Sequence, residues 1–208
     1  MLLRFFMNGG VRQMAAIRFA LIGSGWRSEF YIRIASLCPE LFSLTSVLVR
    51  SEERAGEISD RFGVPAVTSL EELLLSDPEF VVISVKKGMA VPYILELSKK
   101  DVPVLTETPP SDNMEDLTTL WEKTKHERIQ VAEQYLFQPF YAAWKKAVEA
   151  GMLGEIQNIS VSCVHGYHAA SVIRAFLGIG AEEARIFGKR YYLEVAETGK
   201  RGGMARSG

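Results

Sequence analysis

No stretch of this chain reaches the roughly 18 consecutive apolar residues that a membrane-spanning helix needs, so no membrane partner is expected. Neither sign of charge dominates. The 24 Lys and Arg stand against 25 Asp and Glu, a formal net charge of -1, and the basic footprint of a nucleic-acid binder is missing. That balance does not exclude a small anion held in a local site. Cysteine is scarce: Cys38 and Cys163 lie far apart and make neither a disulfide framework nor a zinc site. They read as reduced, partly buried thiols, which fits the cytoplasm. Only three histidines occur; His165 and His168 are close in sequence but have no third ligand nearby, so no metal is expected. The opening MLLRFFMNGGVRQMAA begins like a signal peptide, yet Asn8 and Arg12 interrupt it and no small-residue cleavage pattern follows. Residues 1–16 read as a flexible tail, and the organised pattern begins just after Met14.

What is present is the composition of a soluble globular protein, 48% hydrophobic and 24% charged. Short apolar runs alternate with amphipathic stretches of helical period. The runs at 17–22, 42–49, 66–67, 80–85, 102–106 and 129–132 read as strands, and 29–37, 52–62, 71–75, 91–100 and 112–127 as helices, with Ser69 capping one of them. Strands alternating with helices of this length predict βαβ units and a doubly wound parallel sheet. A second set follows: a helix over 141–150, an alternating strand over 156–164 that belongs to a different sheet, and a helix over 169–177 stopped by Gly178. The polar, Gly-rich end ETGKRGGMARSG reads as disordered.

The sharpest motif is Gly23-Ser24-Gly25-Trp26-Arg27-Ser28, which follows a strand and opens a helix. That context is what a dinucleotide-binding turn requires. Gly23 allows the tight turn, Gly25 lets a pyrophosphate approach the backbone, and the N–H groups of the helix start hold its charge. Ser28 replaces the third glycine and is small enough for close helix–strand packing. Trp26 either covers a cofactor or packs on the tail. The second strand ends in Val49-Arg50-Ser51, where a site preferring NAD carries an acid for the ribose hydroxyl. With no acid here, Arg50, Ser51 and Arg54 favour NADP slightly over NAD, by receiving a 2′-phosphate; otherwise the two arginines are solvated surface charges.

Several of these runs together resemble the Gfo/Idh/MocA oxidoreductases: IRFALIGSGWRSEFYIRIA, RAGEISDRFGVPAVTSLEELLLSDPEFVVISV, the Glu107-Thr108-Pro109 triplet after VPVLT, GMLGEIQNISVS and HGYHAASVIRAFLG. The likeness covers about residues 17–180. It implies a Rossmann domain over 17–135 that binds NADP or NAD, and the start of a second α/β domain with an open antiparallel sheet over 136–208. It further implies hydride transfer between nicotinamide and a sugar or polyol, with Glu107 on the cofactor side and His168 in proton transfer. Each has a blander alternative: Glu107 as a turn carboxylate, His168 as a partly buried structural histidine. Tyr135, Phe137 and Pro139 line the cleft between domains or pack the hinge.

The departures from that family are specific. Its Glu-Lys-Pro lysine is Thr108 here, which carries no charge to steady a developing alkoxide. The acid or histidine expected one turn beyond His168 is Ser171, while Arg174 matches a frequent basic residue of the helix. Lys86 or Lys87, after the fourth strand, is the candidate replacement for the missing lysine. Family members continue through most of a second sheet that also carries the homo-oligomer interface, and this chain stops early. Two rival expectations follow: a dinucleotide-binding relative without turnover, and an inactive truncated piece.

Overall fold

A computed structural model describes residues 15–86, 88–163, 165–180, 182–185 and 187–189, together with the short strands at 198–199 and 205–206. All but the end of the expected N-terminal tail, and Lys87, lie outside the described residues.

The first strand, β1 (Ile17–Ile22), is buried on both faces, which is why it reads as an unbroken apolar run. Phe19 and Leu21 pack with Ile32, Ala35, Val47, Ala55 and Ile58 on one side of the sheet. Ala20 and Ile22 pack with Leu73, Val81, Ile83, Ile94 and Leu97 on the other. The elements that supply these residues alternate along the chain: α1 (Trp26–Leu37), β2 (Phe42–Leu48), α2 (Glu52–Phe62), β3 (Ala66–Val67), α3 (Leu70–Leu75), β4 (Phe80–Ile83), α4 (Ala90–Lys99), β5 (Val104–Thr106), α5 (Met114–Thr124) and β6 (Ile129–Val131). The six strands are all parallel, in the order β3-β2-β1-β4-β5-β6. Helices α1 and α2 cover one face, and α3, α4 and α5 the other. The chain reverses its winding between β1 and β4, and in open α/β sheets ligands bind beyond the strand carboxyl ends at that crevice.

Helix ends obey local chemistry. Ser51 and Ser69 cap α2 and α3, accepting from Arg54 N–H at 3.3 Å and Glu72 N–H at 3.2 Å. Gly63 ends α2 in a left-handed conformation, φ 68°.

Beyond the sheet, a 3-10 turn (Tyr135–Phe137) leads into α6 (Pro139–Glu149), and α7 (Gly166–Leu177) folds back against that turn. The strand expected over 156–164 does not form: residues 156–163 have no ladder partner among the described residues. The in–out alternation survives, with Ile159, Val161 and Cys163 half-buried, and Ile156, Ile159 and Val161 share a groove with Tyr141, Trp144 and Phe176. An alternating pattern reports a half-covered face, whereas a strand also needs a neighbouring backbone. At the far end, read as disordered, β7 (Thr198–Gly199) pairs antiparallel with β8 (Ala205–Arg206). A two-residue ladder leaves no compositional signal.

Candidate active site

The carboxyl edge of the sheet is built by hydrogen bonds that run one residue past each strand. Gly23 N–H donates to Leu48 O at 3.0 Å, Ser84 N–H to Ile22 O at 2.8 Å, Glu107 N–H to Ile83 O at 3.0 Å, and Ala132 N–H to Thr106 O at 2.8 Å. The residues that follow the strands are thereby set in a row.

Gly23 has φ 115°, and a Cβ there would lie 2.1 Å from the Ser84 carbonyl oxygen. The turn therefore sits directly on the end of β4. Ser28 stands where a third glycine is usual; it is fully buried and donates to Ser84 O at 3.2 Å. A small side chain is required there, as the sequence suggests. Gly25 is different: a Cβ on it would meet nothing within 4 Å. It is the N-cap of α1, and no side chain caps that helix. The N–H groups of Arg27 and Ser28 in its first turn thus stand at the positive end of the helix dipole with no side-chain cap. An open approach and uncapped donors fit a pyrophosphate.

The arginines near this turn are not equivalent. Arg54 reaches back from α2 to the turn, donating from Nε to Ser24 Oγ at 3.1 Å and from Nη2 to Ser24 O at 2.8 Å, while Nη1 pairs with Glu57. Arg50 is exposed and has no side-chain hydrogen bond among the described residues. Ser51 is engaged as a helix cap. Arg27 turns the other way, with Nε 2.8 Å from Glu107 Oε1. Tyr31 OH donates to the same oxygen at 2.5 Å. Glu107, at the end of β5, therefore ties that strand to α1. Burial pushes the Tyr31 phenol above its ordinary range, and the hydrogen bond to Glu107 adds to the shift. Burial would lower the Arg27 guanidinium, but Glu107 outweighs it and the net shift is upward. Trp26 is half exposed and meets Phe30 edge-on, ring centroids 5.6 Å apart.

A second locus lies beyond β5 and β6. An open cleft of about 580 Å³ is lined by Thr108, Glu133, Tyr167, Ser171 and Arg174. These residues come from the ends of β5 and β6 and from α7, so the two positions that depart from the family motif, Thr108 and Ser171, face the same space. His168 is buried at 6% exposure, with Nδ1 2.6 Å from Glu133 Oε2. Tyr135 stacks on its ring at 4.2 Å and Tyr167 meets it edge-on at 4.4 Å. Lys86 is exposed after β4 and does not line this cleft. His126 is exposed on its charged helix end. Among the described residues no cluster of His, Cys, Asp and Glu has the makings of a metal site.

Two residues of this constellation have no counterpart in the sequence-derived candidates. Tyr31 gives no sequence signal beyond lying one turn after the motif. Glu133 does give one: it is an acid immediately past the last strand of a parallel sheet, on the ligand edge.

A family model described as an oxidoreductase family with an NAD-binding Rossmann fold, GFO_IDH_MocA, matches residues 17–135, more than half of the chain. The chain belongs to the Gfo/Idh/MocA family. A curated relative, the dTDP-3,4-didehydro-2,6-dideoxy-alpha-D-glucose 3-reductase of Streptomyces violaceoruber, is 28% identical over 153 residues, which are 68% of this chain and 45% of that protein. Two solved structures share the fold. The WlbA dehydrogenase of Bordetella pertussis, in complex with NADH and UDP-GlcNAcA, superposes with a TM-score of 0.60 at 21% identity, over 68% of this chain and 42% of that one. The scyllo-inositol dehydrogenase of Lactobacillus casei, with NAD(H) and scyllo-inositol, gives 0.64 at 18% identity, over 78% and 56%. The chain thus spans under half the length of that curated relative. No helix among the described residues is long and apolar enough to cross a membrane.

Proposed function

We propose that residues 17–135 form the dinucleotide-binding domain, and residues 136–208 the opening of the substrate domain, of an oxidoreductase that moves a hydride between nicotinamide and a hydroxyl-bearing carbon of a sugar or polyol. One arrangement carries the reading: the uncapped start of α1 at Gly25 and the cleft beside His168 share the carboxyl edge of a single sheet. The solved relatives with bound NADH and sugar or inositol ligands support it by fold.

In this reading Gly23, Ser24 and Gly25 shape the turn, and the backbone N–H groups of Trp26, Arg27 and Ser28 receive the pyrophosphate. Arg50, Ser51 and Arg54, with no acid at the end of β2, select NADP over NAD through a 2′-phosphate. Glu107 braces the cofactor side by holding Arg27 and Tyr31. The nicotinamide, when bound, supplies the hydride chemistry. His168 takes the hydroxyl proton in oxidation and returns it in reduction. Thr108 occupies the position of the family lysine with a hydroxyl only, and Lys86 is the cation assigned to compensate. The two free thiols fit a reducing compartment, the cytoplasm.

Titration of the purified chain with NADPH and NADH, followed by nicotinamide fluorescence, tests the first half. Saturable binding with NADPH tighter is expected; binding of neither removes the reading. A panel of sugars and polyols then tests turnover, which His168→Ala should lower by about 100-fold or more. A second reading, a dinucleotide binder without turnover, draws on Thr108 and Ser171, which line the cleft with uncharged groups. Turnover of any polyol in the panel eliminates it.

A further inference from the structure

We propose that Glu133 is the positioning residue of His168, supplying from the sheet edge the carboxylate that the helix lacks at Ser171. The inference rests on the proton-transfer role given to His168 above, and concerns how its ring is held.

The two carboxylate oxygens of Glu133 have separate partners. Oε1 accepts the Tyr135 backbone N–H at 3.0 Å, and Oε2 lies 2.6 Å from His168 Nδ1. The first contact stops the carboxylate from swinging away, so the second is held in place. Tyr135 does more than donate that N–H: its ring stacks on the imidazole, tilted by only 17°. Ring plane and ring edge are thus fixed by one short segment after β6. The pair is also removed from water, with side-chain exposures of 8% for His168 and 19% for Glu133.

A carboxylate at Nδ1 places the imidazole proton there and leaves the lone pair of a neutral ring on Nε2. Nε2 has no hydrogen-bond partner among the described residues, yet among them the one buried side-chain polar atom without a partner is Ser46 Oγ. Nε2 is therefore not sealed inside the protein. Glu133 itself lines the cleft with Thr108 and Ser171, and so does Tyr167, the residue before His168. The other titratable groups facing the ring are Tyr135, Tyr167 and His165, whose ring centroid is 5.9 Å away. Glu133 is the anion among them.

The test reads the tautomer directly. Only three histidines are present, so His126→Asn and His165→Asn variants assign the ¹⁵N–¹H imidazole spectrum of the full chain. At about pH 8.5, where an ordinary imidazole is neutral, His168 is expected to carry its proton on Nδ1. Glu133→Ala should shift it to the Nε2–H form. Glu133→Gln, which keeps an acceptor and the volume, should retain much of the Nδ1–H form but move its low-field proton upfield; it also serves if the alanine variant does not fold. Turnover should fall about 10–100-fold in kcat for Glu133→Ala, with KM and NADPH affinity changed less than about 3-fold and Glu133→Gln intermediate. An Nε2–H tautomer in the unmodified chain, or a His168 spectrum unchanged in both variants, overturns the proposal. If the unmodified chain shows no turnover, the oxidoreductase reading fails and the tautomer result still decides the role of Glu133.

Discussion

Two glycines two residues apart should respond in opposite ways to the same substitution. Gly23→Ala places a methyl 2.1 Å from the Ser84 carbonyl oxygen, with Ser28 Oγ only 3.3 Å away, on a backbone with φ 115°. The conformation alone costs about 1–3 kcal/mol for a residue with a Cβ. Forcing the turn off β4 costs about the same again, the usual range for an overfilled packed site. A loss of about 4 kcal/mol follows, which for a domain of this size lowers the melting temperature by roughly 8–16 °C. Gly25→Ala keeps an extended backbone, φ -79° and ψ 176°, and its methyl meets nothing within 4 Å. Its only folding cost is a poorer N-cap, at most about 1 kcal/mol. The methyl projects where an anion would approach the uncapped helix, so NADPH affinity should fall by about 10-fold or more, equivalent to about 1.4 kcal/mol. Circular-dichroism melts and a fluorescence titration on both variants separate the effects. A Gly23→Ala chain melting within about 2 °C of the parent refutes the packing argument. A Gly25→Ala chain that binds NADPH undiminished refutes the placement of the phosphate site on α1.

Other substitutions probe the braces around that turn. Tyr31→Phe deletes a half-buried donor to the Glu107 carboxylate and should cost about 2 kcal/mol at neutral pH. Because the folded-state pKa of Tyr31 is raised, the parent loses stability as pH climbs above about 10, the unfolded value of a phenol. The Phe variant should show a flatter alkaline decline in melting temperature, and an equally steep one contradicts the assignment. Arg54→Ala removes both hydrogen bonds to Ser24; NADPH affinity should drop about 10-fold and NADH affinity less than about 3-fold. Equal losses would reduce Arg54 to a brace of the turn. Ser69→Ala unties the Glu72 N–H at the start of α3 and should cost about 1 kcal/mol in a urea titration, with no effect on dinucleotide binding.

The parallel sheet was legible because its signals are local. A strand buried on both faces is an unbroken apolar run, as at Phe80–Ile83, and a helix on such a sheet shows its stripe within three turns. The cap at Ser69 was legible for the same reason, since it acts within three residues of its own position; Ser51, read as a phosphate receiver, proves to be the cap of α2 as well. The strand expected over 156–164 shows where locality ends. Alternation predicted the half-buried face correctly, but a ladder requires a second segment, and no sequence window contains its partner. Arg54 is an intermediate case. Its type suggested an anion receiver, whereas its two bonds to Ser24, 30 residues away, also make it part of the scaffold of the turn.

The chemistry was the least legible part, and the geometry explains why. His168 could be singled out by position in a motif, but what distinguishes a reactive imidazole from a packed one is the group at its other nitrogen. Here that group is Glu133, 35 residues earlier and on another element. A search for an acid one turn along the helix finds Ser171 and concludes that the catalytic set is broken. The sheet edge offers a different supply: every strand end in a parallel sheet delivers a residue to the same rim, and α7 folds onto that rim through the turn at Tyr135–Phe137. A carboxylate lost from the helix can therefore be replaced from the rim without moving the histidine. The charge missing at Thr108 has no such replacement among the cleft-lining residues on the sheet side, so the proposed role of Glu133 accounts for the orientation of His168 and not for the stabilisation of an alkoxide, which the proposed function assigns to Lys86 or to the substrate domain.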